Sequence, residues 1–255
     1  TPFESARFPS CSCPADPALC RPLPRKHSSG QDVHVYSDCG GPWATASKAG
    51  NTSCDWRKFD FEAITTIVRM AGHPVLIGTD GGVIINEAST WPDSDLLCHA
   101  HAHKVRVVAV VLPAGPRGTD KGHPHGYYRS LLSNYSAVQR MATELVQAVG
   151  AAGFDGVEFD FESMSAEAID YPSFDYGSAH VNMIKAVKTA FAQAANSGSV
   201  TLTMGAANLT DDGAKSYLAC YPIPGLAEAS DGIFIMAYGE NATMHSLRNN
   251  AWVTR

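Results

Sequence analysis

Four carboxylates fall within the eight residues from Asp155 to Glu162, in the stretch GFDGVEFDFES: Asp155, Glu158, Asp160 and Glu162. The residues between them are Gly156, Val157, Phe159 and Phe161, which suit a protein interior. Side chains alternate along a strand. As a strand, the segment therefore sends Val157, Phe159 and Phe161 to one face and Glu158, Asp160 and Glu162 to the other. Carboxylates stacked where water is scarce raise one another's proton affinity, which makes one a proton donor at neutral pH. General acid–base catalysis is the chemistry this spacing offers. Three other uses compete: a solvated acidic face, a metal site, and a structural ion-pair network. Same-face neighbours lie roughly 6.6 Å apart, too far for all three to chelate one ion. An ion-pair network would need cations, and Arg106 is the one read on the nearby strands.

The elements around this segment have to hold it. Apolar runs at 33–37, 63–68, 105–112, 200–206 and 232–239 read as strands, and 75–86 as a hairpin around Asp80-Gly81-Gly82. Helical spacing is read over 94–104, over 135–153, where Val138, Met141, Leu145 and Val149 recur before Gly153, and over 178–198. Strand and helix alternate, which predicts a parallel sheet with helices outside it, either a (β/α) barrel or an open sheet. No G-x-G-x-x-G or P-loop opens a helix, so a nucleotide fold has no support. In a barrel the apolar face packs under the helices. The acidic face lines the interior and rises to the C-terminal mouth, where barrel active sites lie.

With 255 residues, a net charge of -6 and 45% hydrophobic residues, the chain has material for one large core, and no basic stripe for nucleic acid. No apolar run is long enough for a membrane helix. Residues 1–30 form a Cys/Pro-rich leader, with Cys11, Cys13 and Cys20 among prolines, and 31–255 a catalytic domain. Seven cysteines in such a setting favour disulfides over zinc, leaving one thiol unpaired within the chain. Asn51, Asn134, Asn208 and Asn241 each open an N-x-Ser/Thr site. The expectation is a secreted or lysosomal protein whose signal peptide is already gone.

DGVEFDFE resembles the D-G-x-D-x-D-x-E signature of glycoside hydrolase family 18, the chitinase-type enzymes, and FIMAYGE resembles their later M-x-Y-D strand. CSCPADPALCRPL, CDW at 54–56 and DLLCHAHAHKVRVVAV resemble the di-N-acetylchitobiase branch of that family. The resemblance implies a (β/α)8 TIM barrel and a retaining, substrate-assisted glycosidase acting on β-1,4 N-acetylglucosamine linkages, in the chitobiose core of N-glycans or in chitooligosaccharides. It implies no cofactor and no metal. Glu162 would be the general acid, and then the base toward water. Asp160 would orient the substrate's acetamido group, whose own oxygen is the nucleophile. Tyr238 would donate its hydroxyl to that oxygen, with a packed core tyrosine as the alternative. Glu158 would share a proton with Asp160, Met236 would fill the barrel beside the sugar, and Asp155 would be structural.

Three departures from the family pattern stand out. Glu158 replaces an Asp and is longer by one methylene. Gly239 replaces the Asp after the tyrosine, with Glu240 as a substitute ligand. VVLPAG stands where S-x-G-G is usual. Six barrel strands are counted, and no match is found for the seventh, the eighth or the tryptophan floor of the sugar site, Trp252 lying in another context. The expected barrel is therefore incomplete, and a carbohydrate-binding relative without catalysis, or an inactive fragment, is the alternative function. His99, His101 and His103 offer an i,i+4 metal pair, against a structural or surface role.

Overall fold

A computed structural model describes residues 17–23, 32–37, 56, 59–70, 75–85, 94–115, 124–194, 198–205 and 219–236. Its strands are β1 (His34–Ser37), β2 (Thr66–Arg69), β3 (Val75–Ile77), β4 (Val83–Ile85), β5 (Arg106–Pro113), β6 (Gly156–Asp160), β7 (Ser199–Gly205) and β8 (Gly232–Met236). Its helices are α1 (Ser94–Ala102), α2 (Tyr127–Leu132), α3 (Tyr135–Ala152), α4 (Met164–Asp170), α5 (Tyr176–Gln193) and α6 (Ile223–Ala229), with a 3-10 turn at Pro17–Cys20. Six parallel strands run β1-β2-β5-β6-β7-β8, and the β3–β4 hairpin pairs with β5 through β3. This is the curled parallel sheet of a chitinase-type barrel, with six of its strands in place.

Two apolar layers sandwich the sheet. Val157, Phe159 and Phe161 join Met141, Leu145 and Val149 of α3, and Ile184 and Val187 of α5, in the outer core. The inner layer contains Val68, Val108 and Val110, with Tyr36, Met70 and Leu112 against them. The sheet is closed enough that the rings of Tyr36 on β1 and Phe234 on β8 lie 4.7 Å apart. Alternation alone assigns Glu158 and Asp160 to this inner face.

The start of β6 is held in close backbone contact with β7. Gly156 opens β6 at φ +155°, and a Cβ there would lie 2.1 Å from the Ser199 carbonyl oxygen. Only glycine fits so close an approach.

Several expectations shift. The short helices α2, α4 and α6 were not read from sequence. Helix α5 begins at Tyr176 rather than 178, because Asp175 accepts from the Ser178 backbone N–H at 3.0 Å and caps it earlier. It ends at Gln193 rather than 198. β2 starts at Thr66 rather than 63, since residues 61–63 form a turn in which Ala63 N–H donates to the Asp60 carbonyl. Arg106 is not the one cation on these strands. Arg69 is buried on β2 and donates to the Ser37 carbonyl at 3.5 Å, while Arg106 lies 3.5 Å from Asp32. Cys20 and Cys98 are each disulfide-bonded, and Cys220 is a free, buried thiol.

Candidate active site

β6 delivers the acids in order of depth. Asp155 lies just before the strand and is 3% exposed. Its Oδ1 accepts from Leu23 N–H at 2.5 Å and its Oδ2 from Val107 N–H at 2.7 Å, with His101 Nε2 2.8 Å from the same oxygen. Three segments meet on one carboxylate at the barrel's base, away from the mouth. His101 is buried there, and its Nδ1–H donates to the Leu19 carbonyl at 2.6 Å. His99 packs on Trp56 and His103 on Phe61, each at 5.2 Å between ring centroids.

Glu158 is fully buried at the middle of the strand. The register pairs it with Val110 on β5 and Thr201 on β7. Its Oε2 accepts from the Thr201 hydroxyl at 3.0 Å, and its Oε1 from the phenol of Tyr36 across the interior. The extra methylene relative to aspartate lets this carboxylate reach β1 as well as its neighbour strand. Tyr36 and Thr201 were not among the residues singled out from the sequence. The signal that could have found them is their inward position, Thr201 on the adjoining strand and Tyr36 on the first strand of the sheet.

Asp160 ends β6 and is 7% exposed. Its Oδ1 is buried without a hydrogen-bond partner among the described residues. Burial first, then the charge of Glu162 and a hydrogen bond to it, then the charge of Glu158, push the Asp160 carboxyl up to about 7. Asp160 therefore holds its proton to near neutrality. Glu162 lies two residues beyond and is exposed, while Phe161 before it and Met164 after it are buried.

The turn carrying Glu162 is packed from behind. Phe161 lies within 5.4 Å of the rings of Tyr128 and Phe159, and its carbonyl accepts from the Tyr221 phenol. Met236 closes β8 opposite Gly205 and is half-buried. Tyr238, Gly239 and Glu240 lie outside the described residues. The arrangement can thus store a proton at neutral pH beside an acid open to solvent, above an apolar interior.

The family description "Glycosyl hydrolases family 18" matches residues 115–253. Among solved structures, a chitinase from Chromobacterium violaceum aligns at TM-score 0.60 with 15% identity, covering 87% of this chain and 63% of its own. A class V chitinase from Pseudomonas fluorescens aligns at 0.61 with 14% identity, covering 82% and 54%. Catalytic domain 2 of the Ostrinia furnacalis Group II chitinase, solved in complex with (NAG)5, aligns at 0.51 with 19% identity, covering 71% and 44%. The chain thus spans between 44% and 63% of the length of these chitinases. No curated protein sequence matches it.

Proposed function

Because the chain belongs to glycosyl hydrolases family 18, we propose that it is a retaining glycosidase cleaving β-1,4 N-acetylglucosamine linkages with help from the substrate's own acetamido group. Glu162 gives its proton to the glycosidic oxygen as the bond to C1 breaks. The acetamido oxygen closes on C1 to form an oxazolinium ion, and the departing sugar leaves as the alcohol. An oxygen tethered to the reacting sugar brings the entropic benefit of an intramolecular nucleophile. Asp160 accepts the acetamido N–H and balances the positive charge. Water, deprotonated by Glu162, then opens the ion with net retention. Tyr238 holds the acetamido oxygen, Glu158 is the acid behind Asp160, Met236 and Glu240 border the sugar, and Asp155 stays structural. No step asks for a metal or cofactor.

One observation carries this reading: the unpartnered, buried Asp160 Oδ1 beside Glu162, in a carboxyl pushed up to about 7. A buried acceptor left open is costly unless something fills it, and an acetamido N–H has the required donor. The (NAG)5 complex of the Ostrinia chitinase supports the same substrate class.

The narrower reading is an enzyme of the di-N-acetylchitobiase kind, secreted or lysosomal. The disulfides at Cys20 and Cys98 support an oxidising compartment. So does Asn134, which opens an N-x-Ser/Thr site exposed at the start of α3 and whose side-chain carbonyl accepts from Ala137 N–H at 3.2 Å. Mass spectrometry after expression in a secreting eukaryotic host should find sugar on Asn134.

Hydrolysis of a fluorogenic chitobioside tests the reaction. Glu162→Gln keeps the shape and removes the proton, so the rate should fall by about 10² to 10⁴. A thiazoline analogue should inhibit, and the matching glucoside without an N-acetyl group should be inert. Glu162→Gln turning over within about threefold of the parent would remove Glu162 from the acid's place. A covalent sugar trapped on Asp160 would replace substrate assistance with double displacement.

A further inference from the structure

We infer that Tyr221 is a positioning residue for Glu162, anchoring the peptide unit on which that side chain is mounted. The inference rests on Glu162 being the acid of the proposed function. β6 ends at Asp160, so the sheet ladder no longer fixes the next peptide. Tyr221, fully buried between β7 and α6, does so: its hydroxyl donates to the Phe161 carbonyl, which belongs to the same peptide unit as the Glu162 nitrogen.

Tyr221 is itself held by α5. Its ring meets His180 edge-on at 5.4 Å and 81°, and the neighbouring Cys220 carbonyl accepts from His180 Nδ1–H at 3.3 Å. Burial lowers the His180 pKa to about 4, so the imidazole stays neutral and its role does not change across the working range. A Cβ on Gly177 would lie 2.3 Å from the Ala219 carbonyl oxygen, so α5 and the segment before α6 touch backbone to side. A rigid path therefore runs from α5 through residues 219–221 to the peptide of Glu162. On the far side of Glu162, Met164 is fully buried and seats the start of α4. With the Phe161 carbonyl bonded on one side and Met164 buried on the other, the carboxyl is aimed before any substrate arrives. Such aiming matters because a misplacement of about 1 Å can cost about 10²-fold in rate.

Tyr221→Phe in the 255-residue chain keeps the ring and deletes the hydroxyl. kcat on a fluorogenic chitobioside should drop about tenfold, with KM changed less than about twofold, since the loss falls on geometry rather than binding. The second readout needs no turnover. The midpoint of Asp160, followed by carbon-13 NMR of its carboxyl, should fall from about 7 toward the ordinary carboxylate range, because Glu162 is no longer held against it. A parent chain that hydrolyses nothing would count against the glycosidase reading, while the NMR comparison would still decide this one. Tyr176→Phe, which deletes an equally buried phenol bond to Glu167, is the control and should leave both readouts unmoved. His180→Phe, which withdraws the prop behind Tyr221, should move the midpoint in the same direction. An Asp160 midpoint that stays put in both Tyr221→Phe and His180→Phe overturns the inference.

Discussion

Asp160 shows at the level of one residue how a site can work against the fold that carries it. Burial and two neighbouring acids hold its carboxyl up at about 7. At low pH it is protonated in the folded and the unfolded chain alike. As pH rises past the ordinary carboxylate range, the unfolded chain releases this proton and the folded chain keeps it, so folding stability falls through that window. Above about 7 both forms are ionised and the deficit is constant. Asp160→Asn has no proton to lose. It should melt at a higher temperature than the parent at about pH 8, with the difference closing near pH 4. Paired thermal melts at the two values check this, and a difference independent of pH would contradict it. A variant more stable and less active is the expected signature of a residue kept for chemistry.

Among the elements, the recurring device is a side chain that precedes one strand and takes a backbone N–H at the start of the strand before it in the sheet. Thr65 does so with Val33 at 2.8 Å, Asp155 with Val107 at 2.7 Å and Asp231 with Val200 at 2.8 Å. Asp231 also engages Lys188 of α5 at 2.6 Å. These staples fix register where the ladder begins. Asp231→Ala leaves a buried N–H and a half-buried ammonium without their acceptor, and should cost about 1–3 kcal/mol in denaturant unfolding. Asp155→Ala should cost more, since it strands donors from three segments, and Thr65→Val less. The repeated D-G-apolar pattern, FDGV and SDGI, was present in the sequence, but the acceptor's target lies 48 residues earlier in one case and 31 residues earlier in the other. The strands and the long helices were legible because each writes its own period of two or 3.6. Helix α2 was not: six residues carry too little period, and the Tyr128 and Arg129 N–H groups at its start are satisfied by Glu167, 39 and 38 residues away. The acids of β6 were legible as a set, whereas Tyr36, Thr201 and Tyr221 gained meaning only once the sheet curled.

At the scale of the whole molecule, the interior is braced across its width. Tyr36 spans from β1 to Glu158 on β6 and stacks near Phe234 on β8, while β1 and β8 themselves do not pair among the described residues. Tyr36→Phe keeps the ring contact and strips one donor from a fully buried carboxylate. A loss of about 1.5–3 kcal/mol is expected, read from urea unfolding. Thr201→Val should add to it less than independently, because both donors serve the same group.

The convergence on Asp155 also sets an order in time. Leu23 is made 132 residues before the carboxylate that receives its N–H. At about 5–20 residues per second of synthesis, the early segment waits roughly 7–26 s for its seat to exist. Throughout that interval Cys20, three residues away from Leu23, lacks the Asp155 anchor of its segment. This segment is thus made well before the carboxylate that seats it, and a cell making this protein has to keep that cysteine from settling too soon.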